Sequence, residues 1–340
     1  MRHEIHNLQI LRGIAAMLVV TNHLWAGFFG GVFKYSGGLG VDIFFVLSGF
    51  LMTYTQKESK NAVSFFMGRV KRIYPLYIIL SLPIMLMTIS LNDYHRYINN
   101  LLLLPTFMQN SNGIANGPGW TLVYEMFFYV IFAVSLIISK NKTISCLLSV
   151  SLIALMIVIS HTYLPPQERG NWININFIIG DKLLINFAAG SLIALIIGWI
   201  NIPYRLSFGI FLAISIVLVS VALFVLTGDR IYKFGIPAMI LIFLASMSSK
   251  GNGVIYKSLH SLGDASYSIY LSHIYFTFMI RDVMHINSSS YIQSCIAITI
   301  LTSMSVAVGY FVNRSIEKPL IRYFSNKSTV IRNVSTTERA

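Results

Sequence analysis

The chain has 340 residues, 55% of them hydrophobic and only 11% charged, with a mean hydropathy of +0.69. That balance excludes an ordinary water-soluble domain and specifies an integral membrane protein. The formal net charge of +13 lies mainly in short loops and a C-terminal tail between apolar runs, so it reads as a topology signal and argues against a nucleic-acid surface.

At about 20 apolar residues per crossing, the sequence predicts an all-α polytopic membrane helix bundle of about ten transmembrane helices. The spans run roughly over 8–28, 38–56, 73–91, 119–139, 143–160, 183–200, 206–227, 231–248, 264–283 and 291–313. The apolar stretch 98–108 is too short to cross and is expected at the interface. No fixed-period repeat or Pro/Gly-rich linker divides the chain, which predicts one transmembrane domain over 1–323 and a polar, basic tail over 324–340. That tail is expected to be disordered and to lie against an anionic membrane surface. Cys146 and Cys295 both fall in apolar runs, where they read as small hydrophobes; neither points to a disulfide or a metal site. An even number of spans puts both termini on one side, and that side carries 17 Lys/Arg against 7 on the other. Both termini are therefore expected in the cytoplasm.

The first span, LQILRGIAAMLVVTNHLW, contains Arg12 and His23. Their spacing brings a helix round to within roughly 20° of its starting direction and about 16 Å further along its axis, so the two share a face. An ionisable group at membrane depth costs about 2.5 to 3.5 kcal/mol, and two on one face argue for a protein-lined or wet interior. The alternative is that each snorkels to its nearer interface. The second span opens with GLGVDIFFVLSGF, placing Asp42 near its outer end and Ser48 deeper. Before the third span, FFMGRVKRIYPLY supplies Arg69, Lys71 and Arg72, a basic mouth that with Arg12 could hold a phosphate-bearing ligand. Positive-inside topology alone would also account for these three.

The fourth span, beginning GPGWTLVYEMFFY, puts Trp120 at its start and Glu125 in its outer third. His23, Asp42 and Glu125 are thus expected at one level, as a proton-transfer site or as a polar cluster tying helices together. In the ninth, LGDASYSIYLSHIYF sets Tyr267, Tyr270 and His273 three residues apart on one face, with His273 near mid-membrane. Ser48, Trp120, Tyr267, Tyr270 and His273 are candidates to line an acceptor path or channel. The tenth span ends in RSIEKPLIRYF, where Glu317, Lys318 and Pro319 suit the end of a helix at the interface.

Arg12 and His23 with ten residues between them, GVDIFFVLSGF, GRVKRIYPLY, WTLVYEMFFY, YSIYLSH and the late EKP together resemble the acyltransferase-3 family of integral membrane O-acyltransferases. The resemblance implies about ten helices, a donor that is usually acetyl-CoA supplied from the cytoplasm, and a sugar hydroxyl of a polysaccharide, lipopolysaccharide or other lipid-linked glycan as acceptor. It implies the bacterial inner membrane as location, acyl-CoA as a substrate and no resident cofactor. It makes His23 the essential residue, with Arg12, Arg69 and Arg72 also functional; the residue reading adds Asp42 and Glu125 to His23 as catalytic candidates and places the donor phosphates on the arginines. His23 would act as general base on the acceptor hydroxyl or as a transient acyl carrier. Some members carry an additional esterase-like domain outside the membrane; this chain ends soon after its last span, so a second transfer step would fall to a separate protein. A proton-coupled or small-molecule transporter is the rival reading, since intramembrane Asp, Glu and His also build proton relays. It lacks the internal repeat and paired interrupted helices that transporters show.

Overall fold

The computed structural model describes residues 6–57, 61–87, 94–106, 117–165, 173–200, 205–286 and 291–324, excluding the side chains of 32, 94–96 and 281–286. In chain order the helices are α1 (His6–Phe29), α2 (Gly31–Thr55), α3 (Ala62–Met87), α4 (Tyr94–Leu102), α5 (Gly119–Ile138), α6 (Lys142–Tyr163) and α7 (Ile175–Gly180). There follow α8 (Leu183–Trp199), α9 (Phe208–Phe224), α10 (Ile236–Met247), α11 (Gly253–Asp264), α12 (Ser266–Ile286) and α13 (Tyr291–Val312). A π-turn precedes α10 at Ile231–Gly235, and another follows α13 at Asn313–Glu317. Among the described residues there are no strands, only two isolated bridges, Thr106–Asn174 and Leu206–Ser248.

Each predicted span is occupied by a helix, and the protein is an all-α polytopic membrane bundle. α1, α2, α3, α5, α6 and the helical run from Tyr291 to Phe324 are long and apolar enough to cross a bilayer; α8, α9 and Ile231–Met247 are shorter apolar helices. Ile137, Val158, Val217 and Ile300 project outward and are more than half exposed, an arrangement that suits hydrocarbon and not water. The expected tail lies outside the described residues from 325 onward.

Two starts differ from the sequence expectation. α2 begins at Gly31 and α3 at Ala62, both well before the apolar runs that mark them. In α3 the early turns are helical because Phe65, Val70 and Ile73 give them an apolar face that packs into the core, while Arg69, Lys71 and Arg72 are good helix formers. The basic cluster therefore belongs to a rigid helix and not to a loop.

α2 lies at the centre of the bundle, packed on α1, α5, α8, α9 and α10. Its crossing with α8 depends on two glycines: a Cβ on Gly49 would meet the Phe187 carbonyl oxygen at 2.0 Å, and one on Gly190 would meet that of Val46 at 1.9 Å. Backbones in contact at a crossing are how membrane helices gain packing without a hydrophobic drive between them. Beside that crossing Phe128 of α5 stacks on Phe187 of α8 with centroids 4.0 Å apart. α1 and α11 approach equally closely, since a Cβ on Gly263 would meet the Gln9 carbonyl oxygen at 1.9 Å. From there α1 and α12 rise together, so Gly13 lies beside Gly263 and, about 15 Å further on, His23 beside His273.

Candidate active site

The cavity that gathers most of the predicted residues has about 820 Å³ of empty space, part of it open to solvent, and lies between α1, α2, α3, α5 and α12. Arg12, Ser48, Arg69, Arg72, Glu125, Tyr267 and Tyr270 all line it. Arg69 and Arg72 are three residues apart and so share one face of α3. The Arg69 guanidinium lies over the rings of Phe65 and Tyr129 at 5.5 and 5.4 Å, with Nη2 3.4 Å from Thr55 Oγ1. Arg12 donates to Gln9 Oε1 at 3.2 Å, and Gln9 in turn donates to Asp264.

The one carboxylate in the wall, Glu125, accepts from the Tyr129 hydroxyl and, at 3.4 Å, from Ser48 Oγ. Among the described residues none of the three arginines has a carboxylate within ion-pairing distance. The wall thus carries three cations against one anion, and an anionic ligand would supply the missing counter-charge. A second cleft with about 570 Å³ of empty space, lined by Thr55, Gln56, Lys57 and Gly68 among others, shares Arg69 and Arg72 with the first. The two arginines form the partition between a surface cleft and an inner cavity.

Tyr267 donates to the Ile73 carbonyl at 2.8 Å, holding α12 against the arginine helix. The Tyr270 hydroxyl lies 2.7 Å from Thr121 Oγ1 and donates to the Pro118 carbonyl at 3.2 Å. His273 is fully buried behind Tyr270; its Nδ1 lies 2.7 Å from the Tyr270 carbonyl oxygen, which can only accept, so Nδ1 carries the proton. On the far side of His273 stands His23, edge-to-face with centroids 5.0 Å apart. His23 does not line the arginine cavity; it is exposed at the opposite end of the same α1 face. Tyr270 in the cavity wall, His273 and His23 thus follow one another as a row of rings, with centroids 6.0 and 5.0 Å apart.

The expected level shared by His23, Asp42 and Glu125 is not observed. Glu125 belongs to the arginine end, because α5 starts inside the bundle, where Pro118 and Thr121 meet Tyr270 only one turn into α12. Asp42 belongs to neither end. It is fully buried and receives Arg230 Nε at 3.0 Å, Arg230 Nη2 at 2.6 Å and the Asn186 amide. Six residues separate it from Ser48, which turns the two about 120° apart on α2, so only Ser48 reaches Glu125. Trp120 likewise packs edge-on against Phe45 and Tyr124 rather than lining the cavity.

Sequence reasoning missed Arg230, Asn186, Thr121 and Tyr129. Tyr129 had a signal, since it lies four residues beyond Glu125 on a helix. Arg230 had none, because its partner lies 188 residues away.

The chain matches the acyltransferase domain family Acyl_transf_3 over residues 5–314. It is 28% identical over 308 residues to the exopolysaccharide production protein ExoZ of Rhizobium meliloti, covering 84% of this chain and 90% of that one. To the O-acetyltransferase OatA of Staphylococcus aureus it is 25% identical over 366 aligned positions, which take in 91% of this chain and 56% of OatA. A shorter match, 28% identical over 106 residues, links it to the acyltransferase MdmB of Streptomyces mycarofaciens. No solved structure matches it. An enzyme family spanning nearly the whole chain sets the transporter alternative aside, and the polytopic protein with its arginine-walled cavity belongs to the acyltransferase-3 family of membrane acyltransferases.

Proposed function

We propose that the protein is an O-acyltransferase that takes an acyl group, acetyl in the simplest case, from a coenzyme A thioester and places it on a sugar hydroxyl of an exported or cell-surface polysaccharide. The observation that carries this reading is the partition formed by Arg69 and Arg72 between a surface cleft and an inner cavity. Coenzyme A has that two-part shape: phosphates that Arg and Lys side chains can hold, and a long pantetheine arm that can run inward. Arg12 and Lys57 add charge on either side of the partition. The names of ExoZ and OatA support a polysaccharide acceptor and an acetyl group.

In this reading the acyl arm passes Tyr270 and presents its thioester near His23. The His23 imidazole removes the proton from the acceptor hydroxyl, the oxygen attacks the thioester carbonyl, and the thiolate leaves to take up a proton as the free thiol. In the covalent variant the imidazole itself attacks, giving an acyl-imidazole that the sugar hydroxyl then opens. Both place donor phosphates and acceptor at opposite ends of α1, which suits a bacterial inner-membrane protein with its termini and arginine end in the cytoplasm and its acceptor outside.

The test separates binding from transfer in one set of variants. Arg69→Ala with Arg72→Ala should weaken acyl-CoA binding by roughly tenfold to a hundredfold, as losing a charge-assisted contact of about 1.5–3 kcal/mol requires. His23→Ala should bind acyl-CoA as the wild type does and transfer nothing to polysaccharide at matched membrane levels. Unchanged acyl-CoA binding in the double arginine variant would refute the donor assignment, and full transfer by His23→Ala would refute the mechanism.

A further inference from the structure

The last apolar helix ends in a second basic site that the acyl-transfer reading does not use. A cleft with about 1230 Å³ of empty space, part of it open solvent, lies between the end of α11 and the helical run that follows α13, and Arg314, Lys318 and Arg322 line it together. Their spacing of four repeats along one helical face. All three are exposed, and among the described residues none makes an ion pair.

The acids nearby are committed elsewhere. Glu317 lies between Arg314 and Lys318 in sequence, yet it is buried and accepts from Ser268 at 2.5 Å and from Asn313 at 2.8 Å. Asp264, which lines the same cleft, accepts from Gln9 at 2.8 Å and lies 3.9 Å from His260, and its backbone carbonyl takes the second Asn313 bond at 3.0 Å. Three cations thus face one cleft against a single carboxylate in its lining, Asp264, which pairs with none of them. Ser261, Asp264 and Asn313 make the cleft largely polar, but two aromatic side chains of the same helical run share its lining: Phe311, at the end of α13, is 67% exposed, and Tyr310 stands beside it. Cations at the polar end of a spanning helix, with an exposed aromatic one turn towards the hydrocarbon, match a phosphate that carries acyl chains.

We propose that this cleft binds the headgroup phosphate of an anionic phospholipid, held by Arg314, Lys318 and Arg322 with an acyl chain along Phe311. The site is separate from the arginine cavity and does not depend on the acyl-transfer reading. The test is native mass spectrometry of the full chain released from nanodiscs of mixed phosphatidylglycerol and phosphatidylcholine. The wild type should retain phosphatidylglycerol selectively. R314Q/K318Q/R322Q should lower that selectivity about a hundredfold, and K318Q alone by roughly fivefold, if each basic side chain contributes as it does near anionic lipid.

R314K/R322K, which keeps the charge, should retain the lipid, and so should K140Q/R205Q/K250Q, which removes three exposed cations outside the cleft lining. If the triple glutamine variant fails to fold, K318Q and the lysine variant decide. Equal losses in the two triple variants would reduce the effect to general attraction and overturn the site. Millimolar inorganic phosphate or coenzyme A displacing the lipid, or a wild type that does not discriminate between lipids, would overturn it as well.

Discussion

Asp42 shows how a residue's chemistry and its role part company. Read from sequence it is an intramembrane carboxylate near a histidine; in the fold it is one half of a buried ion pair that joins α2 to the π-turn before α10, with Asn186 of α8 completing the set. The pair is lopsided, because the Asp42 side chain is wholly buried and that of Arg230 is 36% exposed. Removing Arg230 strands a buried anion, whereas removing Asp42 frees a guanidinium that can already reach solvent. Arg230→Ala is therefore expected to destabilise by something near the 3–5 kcal/mol typical of a broken buried pair, and Asp42→Ala by clearly less. Thermal unfolding of the two variants in detergent measures the order, and the reverse order would show that Asp42 is held for another reason. What was legible at this scale followed from helix arithmetic: Arg12 and His23 do share a face, and Tyr267 and Tyr270 do reach one cavity. The level of Glu125 was not, since depth was counted from the start of the apolar run as if it lay at the bundle's end, whereas Pro118 and Thr121 meet Tyr270 inside the bundle.

At the scale of elements the apolar runs marked every long helix, because a chain in lipid must satisfy its backbone within each span. They could not mark where a helix extends past its apolar run, and the arginine partition lies in such an extension of α3. Nor could they show which glycines are crossings. Gly190 and Gly209 both lie in apolar helices, but a Cβ at Gly190 would enter the backbone of α2, and one at Gly209 would meet nothing within 4 Å. The same substitution should therefore act in opposite directions. Gly190→Ala forces α2 and α8 apart and should cost about 1–3 kcal/mol, as overpacking does, while Gly209→Ala should be neutral or gain up to about 1 kcal/mol from helix propensity. Matching midpoint shifts in the two variants would mean that the α2–α8 contact yields more readily than its backbone distances allow. A drop in acyl-CoA binding confined to Gly190→Ala would further tie the crossing to the cavity, since Ser48 lies one residue from Gly49.

For the whole molecule the open quantity is direction, and the two ends of the site carry convenient markers of it. Asn22, beside His23, donates to the carbonyls of Phe33 and Lys34 at 2.8 Å each, so position 34 reports the histidine end. Gln56, in the wall of the surface cleft, donates to the Lys140 carbonyl at 3.1 Å, so position 140 reports the arginine end. Both side chains are exposed. The 17 to 7 Lys/Arg asymmetry predicts position 140 in the cytoplasm and position 34 outside. Acyl-CoA is a cytoplasmic metabolite and an exported glycan is met on the other face, so the donor and acceptor reading requires the same orientation that the charge count gives. Lys34→Cys and Lys140→Cys, each made after replacing Cys146 and Cys295, are treated in intact cells with a membrane-impermeant thiol reagent. Position 34 should label and position 140 should not until the membrane is opened. The inverse pattern would leave the fold intact but put the arginine partition outside, away from any acyl-CoA, and would remove the proposed direction of transfer.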